Sequence, residues 1–474
     1  MKRQLGAAIA AAALLAGLAP LPAIAADSPA STGRGGPSTT SEFRGVNWAD
    51  PRDNYADDEV VPSGLSVADD YETTYDKSAA IISGFKHEVR ANTVRLPINP
   101  SSVGTGWWES YQAAIDASVD GGFKVILSYW EADDAKDGRA DDPAAFDAMW
   151  DTVVAEYGKN PRVYFEPMNE PFGYSLDEWV SLASGWLDDH DDVPRKRVIV
   201  SGTGYNDDVT GVGAAEELDG TLLSLHFYGF WASHTTEAEW KANLLPRIGE
   251  YGWRTLVSEA GSPMTTGLNY GNHEGDVSTA YLGALTEVTR DKGMGVVYWP
   301  GLRTGDSYTL TEQTPEGALE VTNESGLAQL QWGWGLLKTE QLNDLPPAPP
   351  GEPLKSVAHG VCIDIPGGST APGTQLGLWW CNGGGNQSFH ATDAGELSVY
   401  GDMCVEPVGG AVAGSALAIA DCTGDVAQQW TLNADLTISS GADPALCLAT
   451  PADSWGLSLA ACDPAAATQQ WTRG

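Results

Sequence analysis

Short β-rich runs alternate with amphipathic helical stretches over about 300 residues from Phe43 onward, and this alternation constrains the fold most strongly. The predicted strands are Phe43–Trp48, Thr93–Ile98, Lys124–Trp130, Val163–Glu170, Arg197–Gly204, Leu222–Gly229, Thr255–Gly261 and Gly295–Leu302. The predicted helices are Asp76–Glu88, Trp108–Val119, Pro143–Tyr157, Leu176–Asp189, Glu237–Tyr251, Val277–Asp291 and Leu327–Thr339. Eight strand-then-helix units predict an α/β fold, the (β/α)8 TIM barrel.

A doubly wound open sheet is the alternative to the barrel. Such a sheet usually has a glycine-rich phosphate turn after its first strand, and none follows Trp48. In a barrel, the catalytic groups lie at the carboxyl ends of the strands. Candidate residues are therefore sought at those ends.

The N-terminus has the pattern of a secretory signal peptide, predicted to span residues 1–25. Lys2 and Arg3 precede an apolar run, and the small-residue site Ala23-Ile24-Ala25 follows it. The apolar run is too short to span a bilayer. Residues 26–42, rich in Ser, Thr, Gly and Pro, are predicted to be a flexible leader. We expect a secreted, extracellular protein without a membrane partner.

The chain is strongly acidic, with 64 Asp and Glu against 26 Lys and Arg and a net charge of −38. Such a surface repels nucleic acid and anionic lipid, so an uncharged polymer is the expected partner. The six cysteines lie beyond residue 350, where an exported protein forms disulfides rather than a thiol nucleophile or a metal site. We expect a monomer without cofactor or metal. For the aspartate-rich stretch 133–142, calcium binding is the alternative to a solvated loop.

Two glutamates are the candidate catalytic residues. Glu170 ends an apolar run and precedes Pro171, which lacks an N–H and favours an extended residue before it. The seventh predicted strand carries Glu259 near its carboxyl end. Two carboxyls at the rims of strands four and seven would face each other across the barrel mouth. Glycoside hydrolysis requires such a pair.

The barrel resembles glycoside hydrolase family 5, the cellulase family of retaining enzymes, in motifs at the ends of five strands. These are Arg95 in TVRLPI, Asn169-Glu170-Pro171, His226 and Tyr228 in LHFYG, Glu259 in VSEAG, and Trp299 in VYWP. The resemblance implies that Glu170 is the general acid and then base, kept protonated by burial and a nearby negative charge. It also implies that Glu259 attacks the anomeric carbon. Arg95 and Tyr228 would hold Glu259 ionised.

The resemblance gives further residues a role around the sugar. Asn169 would bind the 2-hydroxyl, His226 would join the polar network, and Trp299 would form the platform below the sugar ring. Family members usually have a histidine near the end of strand three, where this chain has Tyr129 and Trp130. Trp130 therefore alters the wall beside the reacting sugar and weakens the transfer of cellulase specificity. Retention predicts carboxyls roughly 5 to 5.5 Å apart, against roughly 6.5 to 9.5 Å for inversion.

The barrel domain is predicted to span residues 43–344. The part of the chain after it contains three repeats. The proline-rich segment 345–353 is predicted to be a stiff linker. Beyond it the cysteines form the pairs Cys362–Cys381, Cys404–Cys422 and Cys447–Cys462. The segments Gln387-Ser-Phe389, Gln428-Gln-Trp430 and Gln469-Gln-Trp471 close the repeats at 41-residue intervals. Each repeat is too small for its own core, so three should pack around a pseudo-threefold axis, each with one disulfide.

This region, 354–474, resembles the ricin B-type lectin, an all-β β-trefoil that binds carbohydrate. The resemblance implies a sugar site in the first repeat, where an aromatic ring stacks on the sugar and polar groups bind its hydroxyls. Its residues are Asp364, Trp379, Asn386 and Gln387. The other repeats have Ala420 and Ala460 in place of the ring, so one working site is expected.

The predicted function is that of a secreted retaining glycosidase acting on a polysaccharide, by default a β-1,4-glucan or mannan. The lectin module would raise the local substrate concentration. An exo-acting glycosidase on arabinose- or galactose-containing side chains is the alternative, and a non-catalytic glycan-binding protein is a second one. The stretch Arg303–Gly326 is long for a connection. If it closes one end of the cleft, we expect the enzyme to release sugars from chain ends. If it lies flat, we expect cleavage within the polysaccharide chain.

Overall fold

Eight parallel strands form a barrel in the computed structural model. The structure describes residues 40–473 apart from 272, 274, 316, 344–350, 370, 382–384, 393, 401–402 and 451–454. The predicted signal peptide, most of the leader and most of the linker therefore lie outside the described residues. The strands are β1 Arg44–Trp48, β2 Thr93–Ile98, β3 Lys124–Tyr129, β4 Val163–Glu166, β5 Ile199–Ser201, β6 Leu222–His226, β7 Thr255–Glu259 and β8 Gly295–Leu302.

The strand order is β4-β3-β2-β1-β8-β7-β6-β5, so the first and last strands are neighbours. A single parallel bridge from Phe165 to Val198 joins β4 to β5 and nearly closes the ring. The (β/α)8 barrel predicted from the sequence is thereby confirmed. All carboxyl ends lie on one face because every strand is parallel.

Helices cover the outside of the barrel. They are α1 Tyr71–Gly84, α2 Gly106–Asp120, α3 Pro143–Tyr157, α4 Leu176–Asp189, α5 Thr210–Ala214, α6 Glu237–Ile248, α7 Val277–Lys292, α8 Glu324–Gly333 and α9 Thr339–Asn343. Local capping fixes where they begin: α4 has a reciprocal capping box between Ser175 and Glu178. Trp150, Trp179 and Trp240, on α3, α4 and α6, are fully buried. None of the helices in the described part of the chain is long and apolar enough to cross a membrane.

The fourth strand was predicted to end at Glu170, four residues beyond its carboxyl end in the structure. Strand β4 ends at Glu166, because Pro167 follows it and has no N–H to donate to a ladder. The chain then turns, and the Asn169 amide donates to the Tyr129 carbonyl at 2.9 Å. Glu170 therefore lies in the loop beyond β4 and not on the strand itself.

The stretch 303–326 is neither a flat loop nor a simple closure. It contains an antiparallel hairpin of β9 Thr311–Gln313 and β10 Leu319–Val321, and it leads into α8. The segment before the hairpin, Asp306 to Tyr308, lies at the mouth of the barrel.

The C-terminal region is built from three antiparallel sheets of four strands. Its strands are β11 Leu354–Ser356, β12 Cys362–Asp364, β13 Gly377–Trp379, β14 Phe389–Ala391, β15 Leu397–Val399, β16 Met403–Pro407, β17 Leu417–Asp421, β18 Trp430–Leu432, β19 Ile438–Ser440, β20 Leu446–Ala449, β21 Ser458–Ala461 and β22 Trp471–Arg473. The aromatic residues that end the three repeat motifs, Phe389, Trp430 and Trp471, are all buried in one core. Disulfides join Cys362–Cys381, Cys404–Cys422 and Cys447–Cys462, one in each repeat. The sheets are those of a β-trefoil.

Candidate active site

Both carboxylate oxygens of Glu259, the last residue of β7, are held by hydrogen bonds. The Arg95 guanidinium donates from Nη1 to Oε1 at 2.5 Å, and the Tyr228 hydroxyl donates to Oε2 at 2.8 Å. Nδ1 of His226 lies 3.5 Å from Oε2. The side chain is buried, so its orientation is fixed by these partners.

Arg95 is the organising cation of the site. It is 1% exposed on β2, and its Nε donates to the Glu166 carboxylate at 2.6 Å. Its other acceptors are Asn47 at 3.0 Å, Ser128 at 3.0 Å and Asn169 at 2.7 Å. Burial lowers the pKa of Arg95, but the Glu166 and Glu259 carboxylates outweigh it and the pKa is raised. The guanidinium thus remains charged between two buried carboxylates.

Glu170 is held from two sides. The Tyr55 hydroxyl donates to its Oε2 at 2.8 Å, and Nδ1 of His226 lies 2.8 Å from its Oε1. One oxygen of Glu170, one ring nitrogen of His226 and one oxygen of Glu259 all lie within 4.8 Å of one another. The two carboxyls therefore face each other closely across the mouth of the barrel.

Burial has the largest effect on the pKa values of Glu259, Tyr55 and Tyr228. It raises the pKa of the Glu259 carboxyl, while His226 and Arg95 act to lower it and the Glu170 carboxylate raises it further. Burial, followed by the neighbouring carboxylates, also raises the pKa of the Tyr55 and Tyr228 hydroxyls. Both phenols consequently remain protonated hydrogen-bond donors to the glutamates.

A pocket of about 320 Å³ opens over these carboxyls. Trp130 and Trp299 both line it and are stacked, with ring centroids 5.5 Å apart and an interplanar angle of 23°. Phe230, which is exposed, also lines the pocket and stacks on Tyr228 with ring centroids 4.9 Å apart. Asp306, Ser307 and Tyr308, from the segment after β8, complete the wall. Aromatic faces beside paired carboxyls suit the apolar faces of sugar rings.

The structure brings together all eight barrel residues named from the sequence, and it adds others to which the sequence gave no role. Glu166 lies on the inward face of β4, and its side chain accepts from Arg95 and from the Ser224 hydroxyl. Tyr55 lies in a loop after β1, where no periodic pattern marks it. Asn47 and Ser128 are polar residues inside otherwise apolar strands, and this pattern could have indicated that they belong to the site.

The aspartate-rich stretch after β3 is organised around Glu131. The carboxylate of this residue accepts the backbone N–H groups of Asp137, Gly138 and Arg139 at 2.9 to 3.2 Å. Burial raises the pKa of Glu131 to about 7. Among the described residues, the clusters of three ligating side chains include none from 133–142.

The first trefoil repeat contains the expected sugar-site residues in one place. Oδ2 of Asp364 accepts from Nδ2 of Asn386 and from Nε2 of Gln387, each at 2.8 Å. Trp379 is 57% exposed, as a stacking ring must be. The second repeat keeps a carboxylate–amide pair, with Gln428 donating to Glu406 at 3.0 Å, but Ala420 replaces the ring.

Two family models and several solved structures match this chain. Residues 351–472 match the ricin-type beta-trefoil lectin domain. An endocellulase from Pyrococcus horikoshii, solved as a complex of a variant with cellotetraose, is 15% identical over 61% of this chain and 92% of its own, with a TM-score of 0.47. An endo-beta-1,4-glucanase from Xanthomonas axonopodis pv. citri is 15% identical over 62% and 98%, with a TM-score of 0.43. At these values neither structure carries an argument about activity.

The catalytic module gives the decisive match. Residues 56–301, just over half of the chain, match the cellulase model, glycosyl hydrolase family 5. This match includes Arg95, Glu170, Glu259 and the other five barrel residues named from the sequence, and it begins just after Tyr55. The protein therefore belongs to glycosyl hydrolase family 5 and is a glycosidase that hydrolyses O-glycosyl compounds, with a C-terminal carbohydrate-binding lectin domain.

Proposed function

We propose that the protein is a secreted, retaining glycosidase that cleaves a neutral polysaccharide by double displacement. The observation that carries the proposal is the close approach of Glu170 and Glu259, with oxygens within 4.8 Å. Retaining enzymes keep their carboxyls roughly 5 to 5.5 Å apart, whereas inverting enzymes leave space for a water molecule between them. The two fixed oxygens of Glu259 support its role as the nucleophile.

In the proposed first step, Glu259 attacks the anomeric carbon while Glu170 gives a proton to the departing glycosidic oxygen. The C–O bond breaks and a covalent glycosyl-enzyme forms. In the second step, Glu170 takes a proton from water, which attacks the same carbon and releases Glu259. Tyr55 and His226 orient Glu170 during both transfers, since each contacts one of its oxygens at 2.8 Å.

Asn169 is proposed to bind the sugar's 2-hydroxyl. Its Oδ1 accepts from Arg95, which directs its Nδ2 away from the guanidinium. That amide nitrogen lies 3.3 Å from the Tyr55 hydroxyl. Trp299 is proposed as the platform under the ring, with stacked Trp130 extending it.

A β-1,4-linked glucan or mannan is the default substrate, because the chain belongs to the cellulase family and carries a net charge of −38 that disfavours anionic polymers. One observation favours an exo-acting enzyme on arabinose- or galactose-containing side chains instead. Asp306, Ser307 and Tyr308 wall a small pocket of about 320 Å³, and Trp130 occupies the end of strand three. A pocket of this kind suits one terminal sugar.

We further propose an exported monomer with the modular order read from the sequence: signal peptide 1–25, leader 26–42, catalytic domain 43–344, linker 345–353 and lectin domain 354–474. Three disulfides are compatible with an oxidising, extracellular location.

The proposal is tested with a panel of aryl glycosides and polysaccharides, followed by product analysis. NMR of the first-formed anomer should show retained configuration on the substrate that is cleaved. Product sizes over time distinguish internal cleavage from release of terminal sugars. An inverted anomer as the first product would refute the double-displacement mechanism.

A further inference from the structure

The lectin module packs directly against loops at the carboxyl face of the barrel. The loop after β7 contains Thr266 and Gly267. Thr266 approaches the backbone of the first trefoil repeat, and Gly267 approaches the backbone just after β15. A Cβ on Gly385 would collide with the carbonyl oxygen of Thr266. A Cβ on Gly267 would collide with the backbone of Tyr400. These are close backbone contacts that only glycine permits, so the two modules meet at a defined place.

A crevice of about 460 Å³ lies beside this contact. On the barrel side it is lined by Pro51, Thr265, Glu312 and the segment Arg303–Ser307 after β8. On the lectin side it is lined by Gly367, Gly368, Ser369 and Ala371. The crevice therefore belongs to neither module alone.

The crevice lies next to the catalytic pocket. Asp306 and Ser307 line both cavities, so the two are adjacent at this segment. At its lectin side the crevice reaches the loop that follows Asp364 in the sugar site. The N–H of Ile365, next to Asp364, donates to the Asn386 carbonyl at 3.0 Å, which fixes this loop beside the sugar-site residues.

The chemistry of the lining favours a neutral, polyhydroxylated ligand. Arg303 is the cation in the wall, and its Nη1 is neutralised by Asp306 at 2.8 Å. Glu312 adds an exposed carboxylate, which accepts hydrogen bonds from hydroxyls and repels an anion. Hydroxyls of Thr265, Thr304 and Ser369 add groups that both donate and accept. A paired cation, an exposed carboxylate and several hydroxyls suit the hydroxyls of a neutral sugar better than an anion.

We propose that this crevice binds the part of the glycan chain that extends out of the catalytic pocket. The lectin module then forms part of the substrate-binding cleft and is not only a tether. The proposal rests on the proposed function for the identity of the ligand, a neutral glycan. It adds a binding site composed of residues from both modules.

The test fills the crevice from each side. Ala371→Trp places a ring from the lectin side, and Thr304→Trp places one from the barrel side, where it leaves the Trp379 site untouched. Both residues are exposed, so the substitutions put no new volume in a core. Val412→Trp is the matched control, because Val412 precedes the corresponding turn of the second repeat and is 62% exposed. Thermal denaturation checks folding.

Binding is measured by calorimetry in a Glu259→Gln background, which prevents turnover. The probes are two-unit and six-unit cello- and manno-oligosaccharides. We expect the six-unit probe to bind more tightly than the two-unit probe. This gain is the ratio of the six-unit affinity to the two-unit affinity. Each crevice-filling variant should reduce the ratio about tenfold, and Val412→Trp should leave it unchanged.

The outcomes separate this proposal from the proposed function. An unchanged gain in both crevice-filling variants, or no gain from two to six units in the parent, overturns the crevice site. Hydrolysis by the chain with Glu259 intact is scored separately on the substrate panel. Its failure refutes the proposed polysaccharide substrate and leaves the binding result to stand on its own measurement.

Discussion

The Tyr55 hydroxyl donates a 2.8 Å hydrogen bond to Oε2 of Glu170, across 115 positions of sequence. The second carboxyl oxygen contacts His226, so both oxygens of Glu170 are directed by protein groups. The ammonium of Lys136 lies 3.4 Å from the centroid of the Tyr55 ring and covers the other side of the phenol. Tyr55 is therefore a positioning residue for the proposed proton donor.

Replacing Tyr55 by Phe should lower kcat up to about tenfold, because one hydrogen bond contributes as much as roughly 1.5 kcal/mol. KM should change less, since the hydroxyl acts through Glu170. The measurement is steady-state kinetics on the best substrate of the panel. Tyr205→Phe, at a half-exposed ring outside the pocket lining, is the control. Equal kinetics for wild type and Tyr55→Phe would contradict the positioning role.

The two glutamates proposed as catalytic residues should respond differently to leaving-group chemistry. Glu170→Gln should slow hydrolysis of unactivated glycosides by about 10² to 10⁴-fold, since protonation of the leaving oxygen is lost. Dinitrophenyl glycosides need no such proton, so their first step should be nearly normal and the glycosyl-enzyme should accumulate as a burst. Glu259→Gln should abolish both steps on every substrate. An enzyme indifferent to either change would refute the assigned site.

The acid side of the pH profile should reflect the raised pKa of Glu259. Burial raises this pKa, and the nucleophile acts only as the carboxylate, so kcat/KM should fall as the pH decreases through the raised value. The loss should begin at higher pH than for an ordinary glutamate of pKa about 4.3. Tyr228→Phe removes a hydrogen bond that lowers the pKa of Glu259, so this limb of the profile should move to higher pH. A downward movement would contradict the argument.

Glu166 should matter for stability as well as for activity. It is fully buried and pairs with Arg95 at 2.6 Å, so Glu166→Ala leaves a buried cation with one carboxylate partner instead of two. Breaking a buried pair typically costs about 3–5 kcal/mol of unfolding free energy. Thermal or denaturant unfolding of the variant measures this, with Glu156→Ala at an exposed position as the control. Equal stability of the two variants would show that Glu166 is not required to hold Arg95.

Glycan binding by the lectin module should depend on one ring. Trp379→Ala should abolish it, because a stacked ring contributes most of the contact with a sugar face. Ala420→Ser and Ala460→Ser, at the corresponding positions of the other repeats, should bind normally. Affinity electrophoresis in soluble polysaccharides measures all three. Undiminished binding by Trp379→Ala would place the working site elsewhere.

Much of the fold could be predicted because its signals are local. Strand and helix alternation predicted the barrel, and β2 and β8 begin and end where the pattern places them. The Cys and Gln-x-aromatic repeats predicted the trefoil, whose core contains Trp430 and Trp471. Strand β4 was predicted four residues too long because its apolar run continues past Pro167, and only the missing N–H ends the ladder there.

By itself, the sequence determined the order of modules and the identity of the paired carboxyls, since Glu170 and Glu259 occur in short motifs at predictable ends of strands. The tertiary structure alone decided what surrounds them. Tyr55 contacts Glu170 across 115 positions, Glu166 pairs with Arg95 across 71, and the crevice requires two modules to meet at Thr266 and Gly385. Such contacts depend on how the elements pack in space, and neighbouring residues in the chain do not encode them.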